Sequence, residues 1–291
     1  MMKKIVMAAL FAASAFAMEP LVSAPWLKAH LGEKDLVVVD VSSRKLYVKG
    51  HIPTAVQSGI GKWREAHGSY ALVRSASEIE KEMRRLGISK ESRVVVYSHH
   101  SNSKDMLKPT YVIWAMERYG FKRTALLDGG LPAWKRAAGT LSTKEPEAKN
   151  GNFTAREHHE IGVDMDGVKA RIGEVRMIDA RPAVFYFGAR KQPVLKRAGH
   201  IAGATSYFWK YSFNDDGTMK PVSTMKAMLV EGLGLDPTRE VVTYCTGGLE
   251  TSMNYFVLHR MLGFSKARLY DASMKQWANR SDTAMRKFVW E

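Results

Sequence analysis

Short apolar and β-branched runs alternate along this chain with longer stretches whose apolar residues recur at helical spacing. Leu36–Val39, Val94–Tyr97, Val175–Ile178 and Val241–Tyr244 have the length and composition of buried strands. Ala76–Arg85 and Thr251–Met261 instead carry the period of amphipathic helices. This alternation predicts an α/β fold of parallel sheets covered by helices on both faces. In such sheets ligands bind beyond the carboxyl ends of the strands. Ser98 and Cys245, each directly after a strand run, therefore fall at ligand-binding positions.

The pattern occurs twice. Asp40 and Asp179 each close an apolar run, and each is followed by a Gly-His-Ile turn, Gly50-His51-Ile52 and Gly199-His200-Ile201. Leu86-Gly87-Ile88 is matched by Leu233-Gly234-Leu235, and Ser98 and Cys245 lie equally far beyond those glycines. Gly120-Phe121 is matched by Gly263-Phe264, and Asp128 precedes Trp134 as Asp271 precedes Trp277. So many landmarks in one order predict two copies of one domain, at 22–142 and 156–288. The polar stretch 143–155 between them has linker composition. At 291 residues the chain can give each copy its own core.

The first residues break the pattern. Lys3 and Lys4 precede the apolar run Ile5–Phe16, which ends in Ala15-Phe16-Ala17, the arrangement of an export signal at 1–17. The run is short of the ~20 residues that a spanning helix needs, so cleavage and a periplasmic location are the expectation, with a retained anchor as the alternative. Membrane contact is expected only through this segment. The whole chain is 45% hydrophobic and 25% charged, the balance of a globular protein. Its net charge of +15, lowered by two when Lys3 and Lys4 leave, favours anionic partners. The basic residues form no long run, and an exported protein seldom meets nucleic acid, so nucleic acid is not expected as a partner.

The sequence holds one cysteine, Cys245, with no partner for an intramolecular disulfide. It stands between a strand end and a helix start, followed by Thr246, Gly247, Gly248, Leu249, Glu250 and Thr251. Paired glycines let the backbone curl so that its N–H groups face inward, and the following helix adds its positive end. A thiol there is expected to be acidic and reactive, and an anionic persulfide would be stabilised by the same amides. The alternative is a buried, inert cysteine.

The Asp, Gly-His-Ile, strand, cysteine loop, Asp and Trp pattern resembles the rhodanese family. Two copies with cysteine only in the second resemble the tandem-domain thiosulfate and 3-mercaptopyruvate sulfurtransferases. Leu21–Leu27 and Tyr270-Asp271-Ala272-Ser273 also resemble these enzymes. The resemblance implies two rhodanese-like domains, the first inactive, and a ping-pong reaction without metal or cofactor. Cys245 would take sulfane sulfur from a small donor such as thiosulfate, 3-mercaptopyruvate or polysulfide, become a persulfide, and pass that sulfur to cyanide or a thiol. Residues 246–251 would form the substrate loop.

Two departures bear on the donor. Phe185 stands where the family carries an anion-binding arginine, and Glu250 puts a carboxylate in a loop that thiosulfate enzymes make basic. Arg181, Arg190, Lys191, Lys196 and Arg197 are the candidate replacement contacts. A phosphatase of related fold would need an arginine at 251, where threonine stands. A persulfide carrier serving an acceptor protein stays open beside the enzyme. In the first copy, Ser98-His99-His100-Ser101 lacks the glycines of a cradle, and adjacent histidines lack metal-ligand spacing. His51 and His200 recur in both copies and are expected to be structural.

Overall fold

The valine-rich runs become the central strands of two parallel sheets. The computed structural model describes residues 18–147 and 149–291, so the export-signal reading of 1–17 lies outside the described residues. In the first half, β1 (Leu21–Val22), β2 (Leu36–Asp40), β3 (Val56–Gln57), β6 (Arg93–Tyr97) and β7 (Thr124–Leu127) form one sheet in the order β1-β7-β6-β2-β3. Between β3 and β6 an antiparallel hairpin, β4 (Arg64–His67) and β5 (Tyr70–Val73), stands apart from it.

The second half repeats this order with β8 (Arg176–Asp179), β10 (Ala204–Ser206), β11 (Val241–Tyr244) and β12 (Ala267–Leu269), arranged β10-β8-β11-β12. A short pair, β9 (His200–Ile201) and β13 (Met285–Arg286), ties the chain's end to the Gly-His-Ile turn. All pairings within both main sheets are parallel.

Alternation along β6 and β11 sorts their side chains into two cores. Val94, Val96 and Val241 enter one continuous core shared by both halves. Val95 and Tyr97 face an outer core with Trp134, and Val242 and Tyr244 face another with Trp277. The repeated tyrosines and histidines explain one another. Tyr97 Oη accepts from Ile52 N at 3.0 Å and Tyr244 Oη from Ile201 N at 3.2 Å, fastening each Gly-His-Ile turn to a strand end. His51 stacks on Tyr47 at 3.8 Å and His200 on Tyr186 at 3.9 Å, so both histidines are buried structural members.

The end of the polar stretch, at Gly151 and Phe153, is docked rather than free. Gly151 N donates to Arg84 O at 2.8 Å, and Phe153 is buried against Phe121.

The halves meet through the helices that follow the Ser98 and Cys245 loops, Ser103–Arg118 and Leu249–Tyr255. At this junction Arg260 pairs with buried Glu117 and donates to Thr124 O at 2.7 Å. Removing one partner strands a buried charge. Arg260→Ala is therefore expected to lower unfolding free energy by about 3 kcal/mol or more in urea denaturation. A loss below about 1 kcal/mol would reduce the pair to an ordinary surface contact.

Candidate active site

Cys245 follows β11 and is 1% exposed. Its backbone is fixed on both sides: Cys245 N donates to Ser273 Oγ at 3.0 Å, and Met274 N donates to Cys245 O at 3.0 Å. The glycines then turn the chain inward. Gly247 N and Gly248 N donate to Cys245 Sγ at 3.3 and 3.1 Å. Gly248 has φ +95° and caps the helix, which begins at Leu249, two residues before the periodicity places it. A left-handed cap lets the first turn start inside the loop, so the amides reach the sulfur.

The expected acidic thiol is corrected. Burial pushes the Cys245 thiol up to about 12, and the Glu250 carboxylate pushes the same way, against the amides of Thr251, Gly247 and Gly248. Desolvation penalises a thiolate more than these amides repay. Sequence patterning locates the amides, whereas depth of burial depends on both halves of the molecule.

Glu250 folds back onto the loop: its Oε2 lies 3.3 Å from Thr246 N and 3.1 Å from Thr246 Oγ1. Thr246 Oγ1 also lies 2.9 Å from Gln192 Oε1, and one hydroxyl proton cannot serve both acceptors. Burial raises the pKa of Glu250, against the hydrogen bonds from Thr246 N and Oγ1.

The candidate cations have other tasks. Arg181 is 1% exposed and sealed against Asp179, with Nε at 2.9 Å and Nη2 at 2.5 Å, and its Nη2 also donates to Gly199 O. Arg197 donates to Trp277 O at 3.0 Å and Thr283 O at 2.8 Å, clamping the chain beyond the last helix. Lys191 Nζ donates to Leu195 O, and Lys196 is exposed. Arg190 is exposed and lies 5.8 Å from the Phe185 ring centre. The segment reaches the cysteine loop through Gln192 rather than through a cation.

Three participants escaped the sequence reading. Ser273, at φ +52°, accepts from Cys245 N and donates to Tyr270 O at 2.6 Å; it stands in the Tyr270–Ser273 motif but without a visible role there. Lys275 lies across the loop, so that a Cβ on Gly247 would come within 3.1 Å of its Cδ. Arg64 comes from the hairpin of the first half, where no sequence signal links it to Cys245.

The first copy builds no such cradle around Ser98. Leu131 N donates to Ser98 O at 3.0 Å, matching the Met274 contact, but the Ser98 hydroxyl is buried without a hydrogen-bond partner. Asp40, the counterpart of Asp179, has Ser42 two residues on instead of an arginine. His99 Nε2 fills the gap at 2.9 Å from Asp40 Oδ2. The loop is thereby drawn onto Asp40 instead of curling into a cradle. Among the described residues no group of three or more histidine, cysteine or carboxylate side chains could hold a metal. A cavity of about 1220 Å³ in this half, lined by Ser42, Arg44, Gln57 and Lys62 among others, does not include the cysteine loop. A cleft of about 530 Å³ opens between the halves along Val73, Arg118, Tyr270 and Asp271.

Comparison with known proteins matches this architecture. The rhodanese-like domain model matches twice, at residues 23–137 and 164–280. A putative thiosulfate sulfurtransferase of Synechococcus elongatus is 30% identical over 268 residues, covering 88% of this chain and 82% of the relative. The sulfur carrier protein TtuD of Thermus thermophilus is 31% identical over 276 residues, covering 90% and 94%. The crystal structure of SseA from Escherichia coli, a 3-mercaptopyruvate sulfotransferase, superposes with a TM-score of 0.75 at 22% identity, covering 88% of this chain and 99% of that one. The chain belongs to the rhodanese-like family of sulfurtransferases, as a tandem of two such domains.

Proposed function

We propose that the protein is exported and transfers sulfane sulfur from a small donor to a thiol or cyanide through a persulfide on Cys245. One observation carries this reading: the two amides of Gly247 and Gly248 both point at the sulfur of the lone cysteine, at a strand-to-helix turn. In the first half-reaction the Cys245 sulfur, having lost its proton to solvent, attacks the outer sulfur of the donor. A new S–S bond forms, and the donor's own bond to that sulfur breaks with its electron pair leaving on sulfite, pyruvate enolate or a shortened polysulfide. In the second, the acceptor attacks the outer sulfur, the persulfide bond breaks, and Cys245 leaves as thiolate.

The test is mass spectrometry of the mature protein after incubation with thiosulfate, 3-mercaptopyruvate or polysulfide in turn. A gain of one sulfur atom at Cys245, lost again on adding cyanide, is the expected result. No gain with any donor would remove the reading. A second reading, delivery of sulfur to an acceptor protein, is favoured by Phe185 at the arginine position and by the exposed Arg190 beside it. It predicts stable persulfide with little turnover on cyanide.

Glu250 bears on donor choice. Glu250→Thr is expected to improve use of thiosulfate by about 1 kcal/mol, roughly fivefold in kcat/KM, because it removes a carboxylate that repels a dianionic donor. An unchanged kcat/KM would mean that the donor never meets this carboxylate as an anion.

A further inference from the structure

The peptide joining Gly247 to Gly248 is held at both ends. Its N–H, on Gly248, donates to Cys245 Sγ at 3.1 Å, and its carbonyl, on Gly247, accepts from Arg64 Nη2 at 2.7 Å. A trans peptide is planar, so its C=O and N–H point in opposite directions, and fixing one fixes the other. Flanking glycines leave such a peptide free to rotate unless something holds it. We propose that Arg64, on the non-catalytic half, is the positioning residue that locks the sulfur-binding amide of the cysteine loop. This rests on the sulfur-transfer reading of Cys245.

Arg64 is built for this hold. Its side chain is 12% exposed, its guanidinium lies 4.7 Å from the Tyr111 ring centre, and Nη2 also donates to Ala71 O at 3.0 Å. Asp271 Oδ1 sits 3.5 Å away, and that carboxylate is itself held by Tyr111 Oη at 2.9 Å and Val73 N at 2.7 Å. Arg64 Nε is buried with no hydrogen-bond partner, a cost that a residue serving only to fill space would not need to carry.

The duplicated junction supplies an internal comparison. Val73, paired with Arg64, gives its N–H to Asp271, and Met219, bridged to Phe213, gives its N–H to Asp128 at 2.8 Å. Phe213 thus occupies, toward the silent half, the place that Arg64 occupies toward the cysteine. The guanidinium is present only where there is a sulfur to serve.

The experiment uses the full mature chain, comparing Arg64→Met, which keeps an unbranched apolar stem without donors, with Arg64→Lys, which restores one donor. Arg64→Met is expected to lower kcat on the order of a hundredfold, the scale of losing one oriented anion-binding amide, with donor KM unchanged. In protein labelled with ¹⁵N-glycine, the Gly248 amide proton is expected to move upfield as its bond to sulfur is lost. Arg64→Lys should recover a large part of both. A raised KM at unchanged kcat would make Arg64 a donor contact and overturn the proposal, as would an unmoved Gly248 resonance. Thr110→Ala, which removes the 2.9 Å contact to Ser252 at the same junction without touching Gly247, is the control. If it reproduces both changes, loosening of the junction accounts for them and the proposal falls. Absence of persulfide in the unmodified protein would instead sink the sulfur-transfer reading, while the Gly248 resonance would still report whether Arg64 orients the amide.

Discussion

Gly248→Ala is expected to slow persulfide formation on Cys245 by about a hundredfold to a thousandfold, the scale of losing a preorganised anion-binding donor. Two causes add. Gly248 sits at φ +95°, where a Cβ costs about 1–2 kcal/mol. That Cβ would also lie 2.2 Å from Asp271 Oδ1, 2.9 Å from Arg64 Nη2 and 3.0 Å from Asp271 O. Asp271 cannot give way, because Tyr111 and Val73 hold its carboxylate from the first domain. The loop must move instead, and its amides leave the sulfur. Gly263→Ala is the control: φ is +77°, yet nothing lies within 4 Å of the added carbon. It should carry the backbone strain alone and keep the wild-type rate. Rapid-quench mass spectrometry reads both, and equal rates for the two variants would show that the loop does not depend on Gly248.

The second large effect concerns pH. With the thiol held at about 12, the reactive thiolate fraction grows with every step upward through the neutral range. Alkylation of Cys245 by iodoacetamide should therefore rise about tenfold per pH unit between about pH 6 and about pH 9, without levelling off. The direction follows from the cause: burial disfavours the charged form, so protons must be made scarce before the charged form appears. Cys245→Ser should show no labelling and no sulfur transfer at any pH. A plateau below about pH 8 would restore the acidic thiol that the loop sequence suggests.

Comparing those two expectations shows which features local sequence encodes. Length and composition reveal Val94–Tyr97 and Val241–Tyr244 as strands, because a strand buried on both faces is written as a near-continuous apolar run. The turn that aims Gly247 and Gly248 at the sulfur is likewise a property of adjacent residues. The acidity of Cys245 is not, since it depends on how much chain covers the loop. Arg181 reads as a free cation until its partner Asp179 is seen to share its burial. Arg64 belongs to another domain, and its hold on Gly247 O joins residues far apart in the chain. Helix starts lie between these extremes: the left-handed Gly248 begins the helix at Leu249, ahead of the first clear apolar period at Thr251.

The reciprocal bonds of Val73 to Asp271 and Met219 to Asp128 have a consequence for the symmetry of the molecule. Each half offers the other the same aspartate and receives the same kind of amide in return, which is the contact pattern of an isologous dimer. A patch that answers itself in this way relates the two copies by an approximate two-fold axis, so substitutions at Asp271 and at its counterpart Asp128 loosen the same junction from opposite sides.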